Sequence, residues 1–170
     1  MHRSGLFFFI GFMGCGKSYW AKRMSQKMGV PHVDLDRQIE AKKGDKILEI
    51  FSRDGESVFR RMEREALHEL NRHSFQGIVA CGGGTPCFFD NIAWMKQQGI
   101  VVFLKASLHT LEQRIGELPN RPLIQQHQAN WAELKMLYES RLAFYEQADM
   151  VVEVDTLDDT IFAEILLPYV

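Results

Sequence analysis

Apolar residues follow two alternating patterns along the chain. Short continuous runs rich in Phe, Val and Ile predict buried strands at 6–12, 32–36, 77–81, 100–106 and 150–154. Elsewhere apolar residues recur every three or four positions, which predicts helices at 17–28, 36–43, 46–53, 56–72, 89–98, 108–115, 130–147 and 157–168. Apolar strands that alternate with helices are typical of a parallel sheet covered on both faces. We therefore predict an α/β fold, a three-layer α/β/α sandwich around a five-stranded parallel sheet.

Length and composition exclude several classes of protein. The 170 residues suffice for one domain with its own core, and we expect residues 1–170 to fold as a single domain. The net charge of −2 gives no basic field for nucleic acid, and the 3 cysteines and 6 histidines lack the spacing of a disulfide framework or a zinc site. We expect small-molecule partners, with no nucleic acid and no membrane, and a monomeric protein.

The N-terminal apolar run LFFFI leads directly into a glycine-rich loop, without a small-residue cleavage site. No apolar segment approaches the roughly 20 residues needed to span a bilayer. We interpret the run as a buried first strand in a cytoplasmic protein.

The glycine-rich loop, GFMGCGKS, has the spacing of a phosphate-binding loop (P-loop). Its glycines let the backbone turn with amides pointing inward, and Lys17 adds a cation at the start of a helix whose dipole favours anions. Ser18 supplies the hydroxyl expected on Mg²⁺, and Cys15 is interpreted as a small filler, not a nucleophile. The loop predicts nucleotide triphosphate binding, with contacts from Gly14, Cys15, Gly16, Lys17, Ser18 and Tyr19.

Two aspartates occur in the second predicted strand, HVDLD. With a side-chain period of two, Asp34 and Asp36 share one strand face at its carboxyl end, where open α/β sheets bind ligands. One carboxylate can hold Mg²⁺ through water while the other orients or deprotonates an attacking hydroxyl. The alternative for Asp36 is a plain N-cap of the next helix. Because the P-loop is present, we favour catalysis, and capping can coexist with it.

Two arginines lie on helix faces that are otherwise apolar. In helix 56–72, Glu63 falls inside the apolar sector with Arg60 at its edge, so an i,i+3 pair would hold the guanidinium in one orientation. The alternative is an ordinary ion pair on a solvated face. Arg141 lies near the middle of the apolar sector of helix 130–147, where a charge needs a fixed anion. That anion is a protein carboxylate or a ligand, unless the side chain snorkels to an edge.

The third predicted strand ends in three glycines, Gly82, Gly83 and Gly84, followed by Thr85 and Pro86. Glycines allow a ligand to approach the backbone and accept amide hydrogen bonds. P-loop proteins often end this strand in an acidic Mg²⁺ residue, and this chain has none there. The metal-holding role is therefore left to Asp34 and Ser18.

The stretch EQRIGELPNRPLIQQHQAN, residues 112–130, is too polar for a core and too long for a simple connection. We interpret it as a mobile flap. Its Arg114 and Arg121 could be delivered to a phosphoryl group by closure, which stabilises charge on the equatorial oxygens. The alternative is a pair of solvent-facing charges.

With these motifs together, the sequence resembles the shikimate kinase family. The matching segments are GFMGCGKS, DLD, EIF with DGE and FRRME, GGG, NRPL and ESRLAFYEQAD, which span essentially the whole chain. The resemblance implies ATP-dependent, Mg²⁺-dependent phosphorylation of the 3-hydroxyl of shikimate, a step of aromatic amino-acid biosynthesis. It also implies a nucleoside monophosphate kinase-like core, with a substrate-binding segment at about 35–63 and a lid at about 112–127.

The resemblance implies a role for each candidate residue. Asp36 is similar to the residue that contacts the reacting hydroxyls, and Asp34 to the one linked to Mg²⁺. The substrate carboxylate clamp is implied at Arg60 and Arg141, with Glu63 orienting Arg60. The remaining implied roles are a backbone donor to the substrate at Gly83, a lid contact to the transferred phosphate at Arg121 and an adenine contact at Arg114. The pair Thr85 and Pro86 replaces small aliphatic residues often seen in relatives, and no residue is named at 154–159.

Two other functions are compatible with parts of the sequence. Another small-metabolite kinase, such as a gluconate kinase-like enzyme, would share the P-loop but lack the combination of FRRxE and DxD. A regulatory nucleotide-binding module that has lost catalysis is a different class. The presence of every candidate catalytic group argues against such a module.

Overall fold

A computed structural model describes residues 5–72, 74–116 and 130–170 of the chain. The strands of this part are β1 (Leu6–Ile10), β2 (His32–Asp34), β3 (Gly77–Ala80), β4 (Ile100–Lys105) and β5 (Met150–Glu153). The helices are α1 (Lys17–Met28), α2 (Leu35–Lys43), α3 (Ile47–Asp54), α4 (Glu56–Arg72), α5 (Asn91–Gln98), α6 (Leu108–Gly116), α7 (Trp131–Tyr145) and α8 (Asp159–Leu166). Short 3₁₀ turns occupy Thr85–Cys87 and Leu167–Tyr169.

The five strands form one parallel sheet in the order β2-β3-β1-β4-β5. The central strand β1 is buried over its whole length, as its unbroken apolar run LFFFI predicts for a strand covered on both faces. The predicted α/β class and the five-stranded parallel sheet are therefore confirmed. Because all strands run the same way, the loops after β1, β2 and β3 meet at one edge, where such sheets bind ligands.

Aromatic side chains fix helices α1 and α8 against the sheet. The ring of Phe9 stacks on Phe162 with centroids 5.3 Å apart, and Trp20 meets Phe162 edge-on at 5.4 Å. This packing follows from the helical period of α1, which places Trp20, Ala21 and Met24 on one buried stripe. The N-terminus of α1 is thereby held directly behind the phosphate loop.

The second strand is shorter than predicted, which changes the placement of two candidate residues. Strand β2 ends at Asp34, and α2 begins at Leu35. The prediction that Asp34 and Asp36 share one strand face is therefore wrong. Asp34 caps α2, accepting a hydrogen bond from the backbone N–H of Arg37 at 3.2 Å, so the N-cap considered as an alternative for Asp36 is supplied by Asp34, two residues earlier.

None of the helices within the described ranges is both long and apolar enough to cross a membrane.

Candidate active site

The phosphate loop connects β1 to α1 in the conformation that its glycines permit. Gly14 and Gly16 have φ values of 82° and 93°, a left-handed region that favours glycine. Gly16 precedes the first helical residue and has no side chain to cap the N–H groups there, which leaves them for an anion. Lys17 Nζ donates to the carbonyl oxygens of Gly11 and Phe12, at 2.9 and 3.0 Å. Cys15 is buried beneath the loop.

Two oxygen side chains meet beside this loop, one from α1 and one from the end of β2. Ser18 Oγ donates to Asp34 Oδ2 at 2.5 Å. A hydroxyl and a carboxylate are hard oxygen donors, which suit Mg²⁺, and Mg²⁺ takes few protein ligands besides phosphate oxygens and water. The pair fits a magnesium site at the phosphate end of the nucleotide.

An open cleft of about 960 Å³ extends from the phosphate loop between α1, α6 and the segment 154–160. The exposed Tyr19 lies on its wall, as does Arg114, whose Nη1 donates to the Gly14 carbonyl at 3.1 Å. Arg121 and residues 117–127 of the predicted lid, about 112–127, lie outside the described residues.

The segment 154–160 forms the far wall of this cleft. No residue in this segment was named from the sequence. Asp155 there accepts hydrogen bonds from the hydroxyl of Thr110 and from the backbone N–H of Ser107, the latter at 2.8 Å. The Thr110 hydrogen bond is the main cause that lowers the pKa of Asp155. Asp155 thereby joins the loop after β5 to the loop after β4 and to the first turn of α6. No local sequence pattern predicts these contacts, because the residues are 45 positions or more apart.

A second, smaller cavity brings together Asp36, Arg60, Gly83 and Arg141, although three different helices and a loop supply them. Met13 of the phosphate loop forms part of its wall, so the cavity adjoins the phosphate loop. The rest of the lining is Ile47, Phe51, Phe59, Glu63, Gly82 and Gly84. We call this cavity the acceptor pocket.

Arg60 is held in the acceptor pocket on three sides. Its Nη1 donates to Glu63 Oε2 at 2.7 Å, and its Nε and Nη2 donate to Glu56 Oε1 at 3.1 and 2.7 Å. The guanidinium carbon lies 4.4 Å from the centroid of the Phe88 ring, a cation–π contact. Arg60 and Glu63 are only 4% and 1% exposed, so the predicted pair is a buried one and not part of a solvated helix face.

Arg141 is 5% exposed, so its side chain does not snorkel to the surface. Its guanidinium carbon lies 5.9 Å from the centroid of the Phe12 ring. Within the ranges that the structure describes, no carboxylate lies within 4.0 Å of the guanidinium. A buried cation without a carboxylate partner among the described residues is suited to bind an anionic ligand.

The Gly83 loop is fixed by a side chain that the sequence did not reveal. Tyr145 is fully buried, and its hydroxyl donates to the Gly83 carbonyl at 2.6 Å. Burial raises the pKa of Tyr145, so near neutral pH the phenol keeps the proton that it donates to Gly83. Tyr145 lies one helical turn after Arg141, and α7 therefore supports both the arginine and the loop that faces it.

Gly84 lies directly beneath Arg60, which gives a testable prediction. A Cβ atom at this position would lie 2.5 Å from Arg60 Nη1 and 2.6 Å from its Cζ. We expect Gly84→Ala to displace the guanidinium and to raise the KM for an anionic acceptor about 10-fold. This factor corresponds to about 1.4 kcal/mol, within the free-energy cost that overpacking typically has. Steady-state kinetics at saturating nucleotide measures this change.

Gly29→Ala is the matched control for Gly84→Ala. Gly29 has a φ of 68° and no neighbour within 4 Å of an added Cβ. Its alanine variant should lose about 1 kcal/mol of unfolding free energy through backbone strain alone and keep the KM of the parent. Equal KM values for the two variants would show that Arg60 does not depend on Gly84.

The P-loop and the acceptor pocket at the carboxyl edge of a parallel sheet define a P-loop kinase. The solved structure of deoxyadenosine kinase from M. mycoides with bound dCTP shares this fold, with a TM-score of 0.60 at 17% identity over 96% of this chain and 97% of that one. The family model of shikimate kinase matches residues 13–168, and the chain belongs to the shikimate kinase family.

Individual relatives agree with this assignment. Shikimate kinase from Xylella fastidiosa is 39% identical over 160 residues, covering 93% of this chain and 88% of that protein. The solved structure of shikimate kinase from Acinetobacter baumannii in complex with shikimate has a TM-score of 0.86 at 32% identity, covering 98% of this chain and 92% of that one. The structure from Bacteroides thetaiotaomicron gives 0.80 at 34% identity, covering 96% and 94%.

Proposed function

We propose that this protein transfers the terminal phosphoryl group of ATP to the 3-hydroxyl of shikimate, giving ADP and shikimate 3-phosphate in aromatic amino-acid biosynthesis. The observation that carries the proposal is the acceptor pocket, where two buried arginines and Asp36 lie next to the phosphate loop. In a small hydroxylated carboxylic acid, the carboxylate is complementary to the two arginines and a hydroxyl can donate to Asp36. Family membership and the shikimate complex of the A. baumannii relative support the choice of acceptor.

On the donor side, the open cleft takes the nucleotide. The backbone N–H groups of the phosphate loop and Lys17 hold the β and γ phosphates, which requires Lys17 Nζ to leave its two carbonyl partners. Arg114, already anchored on the Gly14 carbonyl, lies against the adenine. Arg121 is proposed to reach the transferred phosphate when the lid, about 112–127, closes.

On the acceptor side, Arg60 and Arg141 bind the substrate carboxylate through charge-assisted hydrogen bonds, and the Gly83 backbone N–H donates to the substrate. Asp36 accepts a hydrogen bond from the 3-hydroxyl, orients it for in-line attack and takes its proton as the bond to phosphorus forms. The positioning of both substrates at one sheet edge supplies much of the rate, because phosphoryl transfer needs little covalent chemistry from the protein.

Ser18 and Asp34 are the residues that would hold Mg²⁺, Asp34 through water. Their oxygens are 2.5 Å apart beside the phosphate loop, and both are ligands that Mg²⁺ prefers. Bound there, the metal would neutralise charge on the phosphate oxygens. The cap that Asp34 gives to α2 fixes its second carboxylate oxygen in place.

Substrate entry needs movement of the pocket walls. The acceptor pocket has a volume of only about 60 Å³, and side chains from α2, α3, α4 and α7 form its walls. We propose that the segment 35–63, which contains α2, α3 and the start of α4, opens to admit the acceptor and then closes over it.

The proposal includes the setting of the reaction. A single domain of residues 1–170 working as a monomer in the cytoplasm, where ATP is available, needs only small-molecule partners. The net charge of −2 supports the absence of a nucleic-acid partner. Size-exclusion chromatography with light scattering tests the monomer.

Coupled detection of ADP release tests the activity. Shikimate should give turnover that requires Mg²⁺ and the P-loop lysine, with Lys17→Met as the inactive comparison. Gluconate in place of shikimate should give none, and turnover of gluconate alone would identify another small-metabolite kinase. Binding of ATP in a calorimeter without ADP formation at saturating shikimate would indicate a regulatory module.

A further inference from the structure

Glu63 carries two contacts, one from each of its carboxylate oxygens. Oε2 accepts from Arg60 Nη1 at 2.7 Å, and Oε1 accepts from Thr85 Oγ1 at 2.6 Å. The carboxylate is 1% exposed and Thr85 is fully buried. Hydrogen bonds to an ionised group out of water are among the strong ones, so this pair of contacts fixes the rotation of the Glu63 carboxylate.

Thr85 is itself rigidly placed. Its backbone N–H donates to the Gly82 carbonyl at 3.1 Å, and its own carbonyl accepts from Asn91 Nδ2 at 2.9 Å. Asn91 is fully buried at the start of α5. A β-branched side chain also has few accessible χ1 rotamers. The hydroxyl of Thr85 is therefore a fixed donor in the loop that carries Gly83.

Without this donor, Arg60 would have a competing arrangement available. The terminal torsion of a glutamate has a broad, soft profile, so a carboxylate held only by Arg60 can rotate. Glu56 already accepts two hydrogen bonds from Arg60, and its side chain is 47% exposed. A loosened Glu63 would let the guanidinium follow Glu56 toward solvent and away from the acceptor pocket.

We propose that Thr85 is a positioning residue for substrate binding: through Glu63 it sets the orientation in which Arg60 meets the carboxylate of the acceptor. The inference rests on the proposed function. By this inference the loop after β3 serves substrate binding in two ways. It presents the Gly83 N–H, and through Thr85 it fixes Arg60 relative to that N–H. Thr85 does not touch the acceptor and takes no part in the transfer itself.

Two variants isolate the hydroxyl from the packing of the side chain. Thr85→Ser and Thr85→Ala both lose the methyl group, but only serine keeps the donor. We expect the KM for shikimate to rise about 10-fold or more in Thr85→Ala relative to Thr85→Ser, as for a lost hydrogen bond to a charged group. The two variants should agree within about 3-fold in kcat and in the KM for ATP, because Thr85 acts only on the binding of the acceptor. A general structural defect in Thr85→Ala would change those two values as well.

The same two variants in an Arg60→Ala background test whether Thr85 acts through Arg60. If Thr85 acts through Arg60, the KM ratio between the alanine and serine variants falls to about 1 when Arg60 is absent. Thermal unfolding of each protein shows whether it is folded at the assay temperature. If Thr85→Ala does not fold, Thr85→Val, which keeps the methyl group and the branched shape but lacks the hydroxyl, is compared with the parent, alone and in the Arg60→Ala background.

The outcomes separate the two proposals. A parent enzyme that releases no ADP with shikimate contradicts the proposed function. A parent that is active, with the same KM in Thr85→Ala and Thr85→Ser, overturns the role of Thr85 alone. An equal KM ratio with and without Arg60 also overturns it, since the hydroxyl would then act by another route.

Discussion

The Asp36→Asn variant is expected to phosphorylate shikimate with a kcat about 10²- to 10⁴-fold below that of the parent enzyme, the range that a general base contributes. Asparagine keeps the size of the side chain and can accept a hydrogen bond, but it cannot take the proton of the attacking hydroxyl. Asp36 lies in the acceptor pocket and not on the nucleotide cleft, so the KM for ATP should stay the same. Coupled ADP release at saturating ATP and shikimate measures the change.

Asp45→Asn is the control for this substitution. Asp45 forms a surface ion pair with Arg53 at 2.8 Å, and exposed pairs of this kind contribute little. The Asp45→Asn variant should retain the kcat of the parent. A kcat for Asp36→Asn within about 10-fold of the parent would contradict the assignment of Asp36 as a general base, since a general base is expected to contribute more than this to the rate.

The Arg141→Lys variant should raise the KM for shikimate about 30-fold, which corresponds to about 2 kcal/mol, the lower end of the cost of breaking a buried charge pair. Lysine keeps the charge but loses the planar fork that binds a carboxylate through two hydrogen bonds. Within the described ranges no protein carboxylate pairs with Arg141, so the effect should appear on the substrate and not on protein stability. Steady-state kinetics and calorimetric titration with shikimate provide the measurement.

Arg61→Lys is the matched control because Arg61 is exposed on α4 next to Arg60. It carries the same chemical change outside the acceptor pocket and should leave the KM as it is. An unchanged KM in Arg141→Lys would show that the carboxylate clamp has been assigned to the wrong residue.

Sequence patterns predicted the elements well where the physical cause is local. The unbroken apolar run of β1 and the helical stripe of α1 both follow from which faces must be buried. The predicted boundary failed at β2, because Asp34 can cap a helix as readily as it can end a strand. The strand ends two residues earlier than predicted, which removed the shared strand face on which the pairing of Asp34 with Asp36 was argued.

The unusual placement of charges was the most informative signal for the site. Arg60, Glu63 and Arg141 lie where the helical period calls for apolar side chains, and the structure buries all three. Buried charge needs partners, so such positions indicate either an ion pair or a ligand. Deciding between these for Arg141 required knowing which side chains from other elements surround it.

The sequence by itself therefore determined the sheet, the phosphate loop and the residues whose chemistry is out of place in a core. Only the tertiary structure decided how these residues are supported: the Tyr145 bond to Gly83 joins residues 62 apart, and the Arg114 bond to Gly14 joins residues 100 apart. Periodicity reports which face of one element is buried, but not which atoms of a distant element meet it. The hydroxyl of Thr85 on Glu63, across 22 residues, belongs to this second kind, because its direction is set by the packing of the loop after β3 against α4 and α5.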